Sequence, residues 1–259
     1  ADRGAVDLIW FATGRGKTEA YLLVAAFELL FRRIKHGRRG GGTAVINRYT
    51  YRFLTADQFE RTARLACALE RVRRPRRDEL GAEPFTVGLW VGLALTPNSY
   101  AGAVNRLDEL RDSLATDEPA NAFQVEMCPD CGTRLFPTTR TRDEHGGDDW
   151  SHYGFRATGA SFKSFCPDRR CLFHEQLPFS MVDKDLYQHP PSFLIGTIDK
   201  FAMMAWKEES GTFLASNRTH EPPSLIIQDE LHLITGALGT SVGLFEVAVE
   251  TLSSWETPS

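Results

Sequence analysis

A glycine-rich turn between a short apolar run and a long helix constrains the fold of this chain more than any other feature. The apolar run covers residues 6–11, and the pattern after the turn predicts a helix over residues 17–35. In such a unit, the backbone N–H groups of the turn and the helix N-terminus can surround a phosphate. We therefore predict a phosphate-binding loop. It consists of Ala12, Thr13, Gly14, Arg15, Gly16, Lys17 and Thr18.

Two side chains of this loop carry the chemistry of a nucleotide site. We expect Lys17 to reach the β and γ phosphates of ATP and the Thr18 hydroxyl to ligate Mg²⁺. The strict pattern G-x-x-x-x-G-K-[ST] fails at one position, because Phe11 stands where the first glycine belongs. A turn that binds nothing is the alternative, and the flanking strand and helix disfavour it. The other predicted nucleotide contacts in the loop are Thr13, Gly14, Arg15 and Gly16.

An acidic pair supplies the second half of the predicted site. Asp229 and Glu230 directly follow the apolar segment 225–228. We expect Asp229 to hold Mg²⁺, directly or through water, and Glu230 to polarise the attacking water. His232 is also expected at the nucleotide, where it could couple the site to a second domain. A solvated acidic pair at a strand end is the alternative, which the upstream phosphate-binding loop disfavours.

Short apolar segments alternate with helical patterns along most of the chain. Strands are predicted over residues 43–47, 85–95, 192–196 and 224–228, and helices are predicted to begin near residues 55, 100, 199 and 240. This alternation predicts an α/β fold with a parallel sheet flanked by helices. The segment 117–191 interrupts it, since this segment is polar and holds four of the five cysteines. We predict one domain made of residues 1–116 and 192–259, with residues 117–191 inserted.

The cysteines of the insert have the spacing of a metal site. The first two form a C-x2-C turn followed by glycine, and the other two repeat the pattern with a wider gap. Four thiolates match the tetrahedral coordination of structural Zn²⁺, which would stabilise a segment poor in apolar residues. His152 or His174 could replace one sulfur, and disulfides or free thiols are the alternative. The predicted ligands are Cys128, Cys131, Cys166 and Cys171.

Composition and charge are those of an ordinary globular protein. Hydrophobic residues make up 42% and charged residues 25% of the chain. The net charge of −4 gives no sign of nucleic-acid binding, so any such contact must use local basic patches. The sequence has neither a run of 18 apolar residues nor a signal peptide, and we expect a cytoplasmic protein without membrane contact. The chain lacks an initial methionine, and we expect it to be a fragment of a longer protein.

The chain resembles the first RecA-like lobe of superfamily 2 helicases. Residues 13–20 resemble motif I, and residues 229–232 resemble motif II in its DExH form. Residues 48–59 and 196–201 stand where motifs Ia and Ib belong. The resemblance implies an ATP hydrolase with the P-loop fold, in which motifs Ia and Ib hold the backbone of one nucleic-acid strand. It covers nearly the whole chain except the insert.

Residues near the predicted strand ends are candidate nucleic-acid contacts. Binding groups of open parallel sheets cluster at the carboxyl ends of the strands, where N–H groups, hydroxyls and cations can hold phosphates. Each cation could equally be an ordinary surface charge. Two basic runs, residues 32–39 and 71–77, end predicted helices, and we interpret them as complements of the helix dipoles. The candidates are Arg48, Thr55, Gly196, Thr197 and Lys200.

Two stretches, residues 47–61 and 227–234, resemble the helicase subunits of bacterial DISARM anti-phage systems. This resemblance implies an ATP-driven DNA motor that works with a partner subunit. A second RecA-like lobe of the same protein is expected to supply an arginine to the γ-phosphate, so this chain alone should hydrolyse ATP poorly. A translocase of a restriction complex is an alternative with the same chemistry. The other alternative is a zinc-dependent nucleic-acid-binding module on an inactive ATPase scaffold. The presence of Lys17, Asp229 and Glu230 disfavours it.

Overall fold

A parallel sheet organises the part of the chain that this computed structural model describes, namely residues 16–49, 56–114, 121–147 and 149–229 with positions 247, 249 and 251. The five strands of the sheet have the order β5-β2-β6-β1-β7, and all their pairings are parallel, whereas β3 and β4 form a separate antiparallel hairpin. The predicted parallel α/β sheet is thereby confirmed. The strands are β1 (Val45–Tyr49), β2 (Val87–Trp90), β3 (Phe155–Thr158), β4 (Ser161–Ser164), β5 (Phe179–Ser180), β6 (Phe193–Thr197) and β7 (Leu225–Gln228).

The helices predicted near residues 17, 55, 100 and 199 each begin within one residue of the expected position, and two further short α-helices were not predicted. The α-helices are α1 (Lys17–His36), α2 (Ala56–Arg73), α3 (Arg77–Leu80), α4 (Tyr100–Ser113), α5 (Asp183–Gln188) and α6 (Ile198–Ala202). Short 3-10 helices cover Gly37–Gly40, Arg74–Arg76, Trp150–His152, Met203–Trp206 and Glu208–Leu214. The three described positions of the predicted C-terminal helix are helical, and the predicted strand over residues 6–11 lies outside the described residues. No helix in the described ranges has both the length and the apolar character that crossing a bilayer requires.

The two faces of the sheet bury different helices because side chains alternate along a strand. Val45 of β1 packs in a core that includes Leu29 of α1 and Phe59 of α2. Its neighbour Ile46 belongs to the core of the opposite face, together with Phe201 of α6. All five residues of β1 are buried, as expected for a strand with a neighbour on each side. The sheet therefore lies between two helical layers, with β1 near its centre.

The predicted insert, residues 117–191, contributes both a separate cluster and a strand of the main sheet. Phe123, Phe155 and Phe162 stack on one another, with ring centroids 4.5 Å and 5.5 Å from that of Phe123. Near the end of the segment, β5 pairs with β2 and forms one edge of the described sheet. The last part of the segment thus belongs to the sheet by its hydrogen bonds, and the domain limits 116 and 191 stay predictions.

The first basic run contains an arginine that is part of the fold rather than of the surface. Arg32 of α1 is 2% exposed, and its guanidinium donates hydrogen bonds to the carbonyls of Gly40, Gly41, Glu221 and Pro222. The planar fork of five N–H donors allows one arginine to satisfy several carbonyls. Arg32 thereby joins the end of α1 to the segments that lead into β1 and β7, a role beyond the predicted complement of the helix dipole.

The second basic run contains a buried ion pair. Arg73 Nε and Nη2 lie 2.6 Å and 2.8 Å from the two carboxylate oxygens of Glu70, and both side chains are at most 3% exposed. Glu70 also accepts a hydrogen bond from the Phe85 N–H, and Arg73 donates to the carbonyls of Gly81 and Ala82. These contacts hold the end of α2 against the segment that enters β2.

Replacement of Arg73 by methionine should destabilise the fold. Arg73→Met leaves the Glu70 carboxylate buried with its main partner removed, which costs about 3 kcal/mol or more of unfolding free energy. Arg76→Met, an exposed position of the same run, should change the unfolding free energy by no more than about 0.5 kcal/mol. Urea unfolding followed by circular dichroism measures both. Equal midpoints for the two variants would contradict a stabilising role of this ion pair.

Candidate nucleotide site and metal centre

Lys17 and Asp229 meet at the carboxyl edge of the parallel sheet. Lys17 is the first residue of α1, and its Nζ lies 2.6 Å from Asp229 Oδ1. Asp229 directly follows β7, and its backbone N–H donates to the Arg48 carbonyl on β1 at 3.1 Å. The Asp229 side chain is 3% exposed and that of Lys17 is 38% exposed. The structure thus brings together the lysine and the aspartate that the sequence predicts for one site.

The start of α1 has the features of an anion-binding helix terminus. Gly16 caps the helix with φ at +77°, a left-handed conformation that favours glycine. Glycine has no side chain that could accept a hydrogen bond from the first-turn N–H groups, so the cap residue itself does not satisfy them. The helix has 20 residues, and its dipole adds a positive partial charge at this end. An anion such as a phosphate is the group that this terminus would stabilise.

A row of hydrogen-bonded side chains lies beside the ion pair. The Tyr21 hydroxyl lies 2.5 Å from the Tyr49 hydroxyl, and Asn47 Nδ2 donates to the latter at 3.3 Å. The Tyr21 hydroxyl also hydrogen-bonds the side chain of Thr18. Tyr49 and Asn47 are each 1% exposed, so this row runs from the interior of β1 to the first turn of α1. No local pattern predicts this row, because only the fold brings β1 beside α1.

Five other residues that the sequence predicts at the nucleotide lie outside the part of the chain that the structure describes. Thr13, Gly14, Arg15, Glu230 and His232 lie outside the described residues. Their roles at the phosphates, the water and the second domain stay predictions. The described part of the site therefore consists of the first turn of α1 and Asp229, the residue that follows β7.

The predicted nucleic-acid residues of the described ranges lie side by side at the same edge of the sheet. Arg48 of β1 pairs in register with Gly196 of β6, and Thr197 is the last residue of β6. Arg48 and Thr197 are 4% and 1% exposed. A Cβ on Gly196 would lie 2.7 Å from the Phe201 ring, so packing alone requires glycine there. Their side chains thus lie within the protein, and a contact with nucleic acid stays a prediction.

Lys200 makes a buried ion pair within the protein. Its ammonium contacts the Asp183 carboxylate, and the two side chains are 12% and 0% exposed. The ammonium also lies over the Trp90 ring, 5.6 Å from its centroid. Burial raises the pKa of Asp183, and the positive charge of Lys200 opposes that shift. Thr55, the other predicted nucleic-acid contact, lies outside the described residues.

Four cysteines form a cluster that could hold a metal ion. The sulfur atoms of Cys128, Cys131, Cys166 and Cys171 all lie within 4.8 Å of one another. Cys128 Sγ is 3.9 Å from Cys171 Sγ, and Cys131 Sγ is 3.5 Å from Cys166 Sγ. Tetrahedral zinc–thiolate bonds of about 2.3 Å place sulfurs about 3.8 Å apart. These thiols are not joined by disulfides, and the cluster contains neither His152 nor His174.

Tight turns position the sulfurs of the cluster. In the first turn, the Gly132 N–H donates to the Cys128 carbonyl at 2.9 Å, and Gly132 has φ at +75°. In the second turn, the Cys171 N–H donates to the Asp168 carbonyl, and the Phe173 N–H points at Cys171 Sγ. Backbone N–H groups near thiolates favour the deprotonated form that binds metal. The local sequence thus explains how each pair of sulfurs converges.

The end of α2 contacts both cysteine turns. Arg71 donates two hydrogen bonds to the Asp130 carboxylate, at 2.6 Å and 2.8 Å, and Asp130 Oδ2 lies 3.5 Å from Cys171 Sγ. Arg74 donates to the Leu172 carbonyl at 3.0 Å. The hydrogen bonds from Arg71 hold the pKa of Asp130 below its usual range. Sequence analysis found the basic run but not its partner, because Asp130 lies 59 residues away.

Comparison with known proteins supports the resemblance to DISARM subunits. The chain matches no family model. It is 34% identical to a protein of Bacillus paralicheniformis named DISARM protein DrmA, over an alignment of 302 residues that covers 98% of this chain and 25% of DrmA. The chain therefore spans about a quarter of the length of this curated relative. The resemblance to a DISARM subunit, which residues 47–61 and 227–234 indicate, is confirmed: the chain is similar to DrmA over nearly its whole length.

Proposed function

We propose that this chain is the ATP-binding lobe of a nucleic-acid-dependent motor, a helicase or translocase that acts on DNA in anti-phage defence. The contact between Lys17 and Asp229 at 2.6 Å is the observation that carries the proposal. It joins the start of a helix that follows a glycine-rich segment of the sequence to an aspartate that directly follows a parallel strand. P-loop nucleotide hydrolases use a lysine and an aspartate in this arrangement, one for phosphate and one for Mg²⁺.

The chemistry of the described residues fits Mg-ATP. The glycine-capped first turn of α1 suits the phosphates, and the ammonium of Lys17 suits their negative charge. The Thr18 hydroxyl and the Asp229 carboxylate are hard oxygen ligands of the kind that Mg²⁺ prefers. In a nucleotide complex, phosphate would replace Asp229 as the partner of Lys17, and Mg²⁺ would replace Lys17 as the partner of Asp229.

The other parts of the proposed nucleotide site come from the sequence alone. Thr13, Gly14 and Arg15 would complete the loop around the phosphates, Glu230 would orient the attacking water, and His232 would couple the site to a second RecA-like lobe. ATP would supply the free energy for movement along nucleic acid. DrmA is about four times as long as the part aligned here, which leaves room for such a lobe in a longer protein.

The proposal of DNA as substrate rests on the relationship with DrmA, whose name assigns it to a DISARM system. Arg48, Thr55, Gly196, Thr197 and Lys200 are the proposed contacts with the strand. Because Lys200 holds Asp183 and Gly196 packs on Phe201, we assign these two a role through the backbone of their segment. A motor that acts on phage DNA would work in the cytoplasm, beside a partner subunit of the defence complex.

We also propose that the four cysteines bind a structural Zn²⁺. The sulfur distances of 3.5 Å and 3.9 Å bracket the value of about 3.8 Å for a tetrahedral zinc–thiolate site. Four thiolates leave no open coordination position, so the ion would stabilise the insert and take no part in ATP chemistry. The ion would then also stabilise the end of α2, because Arg71 and Arg74 donate hydrogen bonds to the two cysteine turns.

Nucleotide hydrolysis should depend on Lys17 and Glu230. In the full-length protein, DNA should stimulate ATP turnover. Lys17→Ala should weaken nucleotide binding by about 10-fold to 100-fold, because it removes a charged hydrogen bond to phosphate. Glu230→Gln should retain binding and lower turnover by about 100-fold or more. Lys35→Ala removes an exposed lysine from the same helix and serves as the matched control. Two results would favour the inactive-scaffold alternative. One is nucleotide binding that stays the same in Lys17→Ala, and the other is an ATP turnover rate that neither DNA nor RNA changes.

The isolated 259-residue chain should bind nucleotide weakly and turn it over slowly. An arginine from a second lobe contributes about 10³-fold or more to such reactions, and this contribution would be missing. Comparison of the chain with the full-length protein at saturating ATP measures the difference. Equal turnover by the two would mean that residues 1–259 contain the complete catalytic set.

Purified protein should contain about one Zn²⁺ per chain. Cys128→Ser and Cys171→Ser should each lower the zinc content measured by mass spectrometry, and should lower the thermal unfolding midpoint because metal binding contributes to folding. Cys67→Ser is the matched control, since Cys67 is a buried cysteine outside the cluster and should leave the zinc content unchanged. Protein that contains no zinc after purification without chelator would refute the assignment.

A further inference from the structure

The row of side chains beside Lys17 connects a proposed magnesium ligand to the centre of the sheet. Asn47 and Tyr49 both belong to β1, and Tyr21 lies one helical turn after Thr18 on α1. The consecutive contacts are Asn47 to Tyr49 at 3.3 Å, Tyr49 to Tyr21 at 2.5 Å, and Tyr21 to the Thr18 side chain. The row is therefore continuous from β1 to Thr18.

The donors and acceptors of this row give it a direction. Asn47 Nδ2 can only donate hydrogen bonds, so the Tyr49 oxygen accepts from it. The Tyr49 hydroxyl can therefore donate its proton to the Tyr21 oxygen. Tyr21 then accepts from Tyr49. Burial raises the pKa of Tyr21, and the hydrogen bond with Thr18 lowers it, as a bond donated to the phenol oxygen does, so the Thr18 hydroxyl donates to Tyr21. This directs the Thr18 hydroxyl proton at Tyr21 and leaves the lone pairs of the Thr18 oxygen free for a metal ion. A hydroxyl held in this way is oriented as a metal ligand requires.

Both phenols remain protonated at neutral pH. Burial raises the pKa of Tyr21 and of Tyr49 above the ordinary value, and the negative charge of Asp229 adds to both shifts. Neither tyrosine can serve as a base for the attacking water, because neither loses its proton in the working range. Their hydroxyls can orient a neighbour and cannot take up its proton.

We infer that Tyr21 and Tyr49 are positioning residues that orient the Thr18 hydroxyl for Mg²⁺, an inference that rests on the proposed function. Partners of a metal ligand fix its orientation and typically change metal affinity by about 10-fold to 100-fold when they are removed. The row starts on β1, whose last two residues belong to the stretch 48–59 predicted as motif Ia. Tyr49 thus links the proposed metal ligand to β1.

The test uses the full-length protein and a fluorescent ATP analogue, with Mg²⁺ as the titrant. Tyr21→Phe and Tyr49→Phe remove one hydroxyl each and keep the ring. Each should raise the Mg²⁺ concentration for half-maximal effect on analogue binding by about 10-fold, while analogue binding in EDTA stays unchanged. Because both hydroxyls belong to one row, the double variant should lose no more than the larger single loss. Tyr100→Phe is the matched control, since the Tyr100 hydroxyl on α4 bonds Gln188 on α5 and is not part of the row.

Three outcomes would overturn the inference. An unchanged Mg²⁺ dependence in both variants would mean that the row does not orient Thr18. Equal losses of analogue binding with Mg²⁺ and in EDTA, together with a lower unfolding midpoint, would mean that the row only stabilises the fold. Independent, additive losses would mean that the two hydroxyls do not act as one row. A wild-type protein that binds no analogue would instead refute the proposed function itself, which separates that failure from the other three.

Discussion

The contact between Lys17 and Asp229 depends on the pairing of β7 with β1 more than on any local feature of either residue. Asp229 follows β7, and its N–H donates to Arg48 on the neighbouring strand, which fixes where the carboxylate lies. Arg32 fixes the position of α1, which carries Lys17, because its hydrogen bonds join α1 to the segment that enters β7. A shift of β7 by one residue would place Gln228 at this point and turn the carboxylate away from α1.

The cysteine cluster connects to the same framework through arginines. Arg71 and Arg74 extend from the end of α2 to the cysteine turns, while Arg73, between them, is buried against Glu70. Arg73 points away from the other two because successive helical residues differ by about 100°, whereas residues three apart, such as Arg71 and Arg74, lie on one face. The run serves the packing of α2 on both the insert and the segment before β2, which explains why a basic run can occur in a chain without a net positive charge.

The sequence predicted the features that depend on local pattern, and it missed those that depend on distant partners. The parallel sheet and the bounds of α1 and α4 follow from periodicity, and β1 and β6 were predicted to within two residues. The strand predicted over residues 85–95 ends at Trp90, because its apolar pattern continues into a loop that leaves Leu93 60% exposed. The contacts of Lys200 with Asp183 and of Tyr21 with Tyr49 join separate elements. No spacing within the sequence predicts such pairs.

The position of β1 explains how one sheet can serve both proposed sites. β1 lies between β6, which leads into the predicted motif Ib, and β7, which the proposed magnesium ligand Asp229 directly follows. Its Tyr49 hydrogen-bonds α1, and its Arg48 carbonyl accepts from Asp229. Close-packed interiors transmit a displacement because the neighbours of a buried strand leave it no free volume. A movement of β1 would therefore reach Tyr21 on α1 and Asp229 together, through two hydrogen bonds.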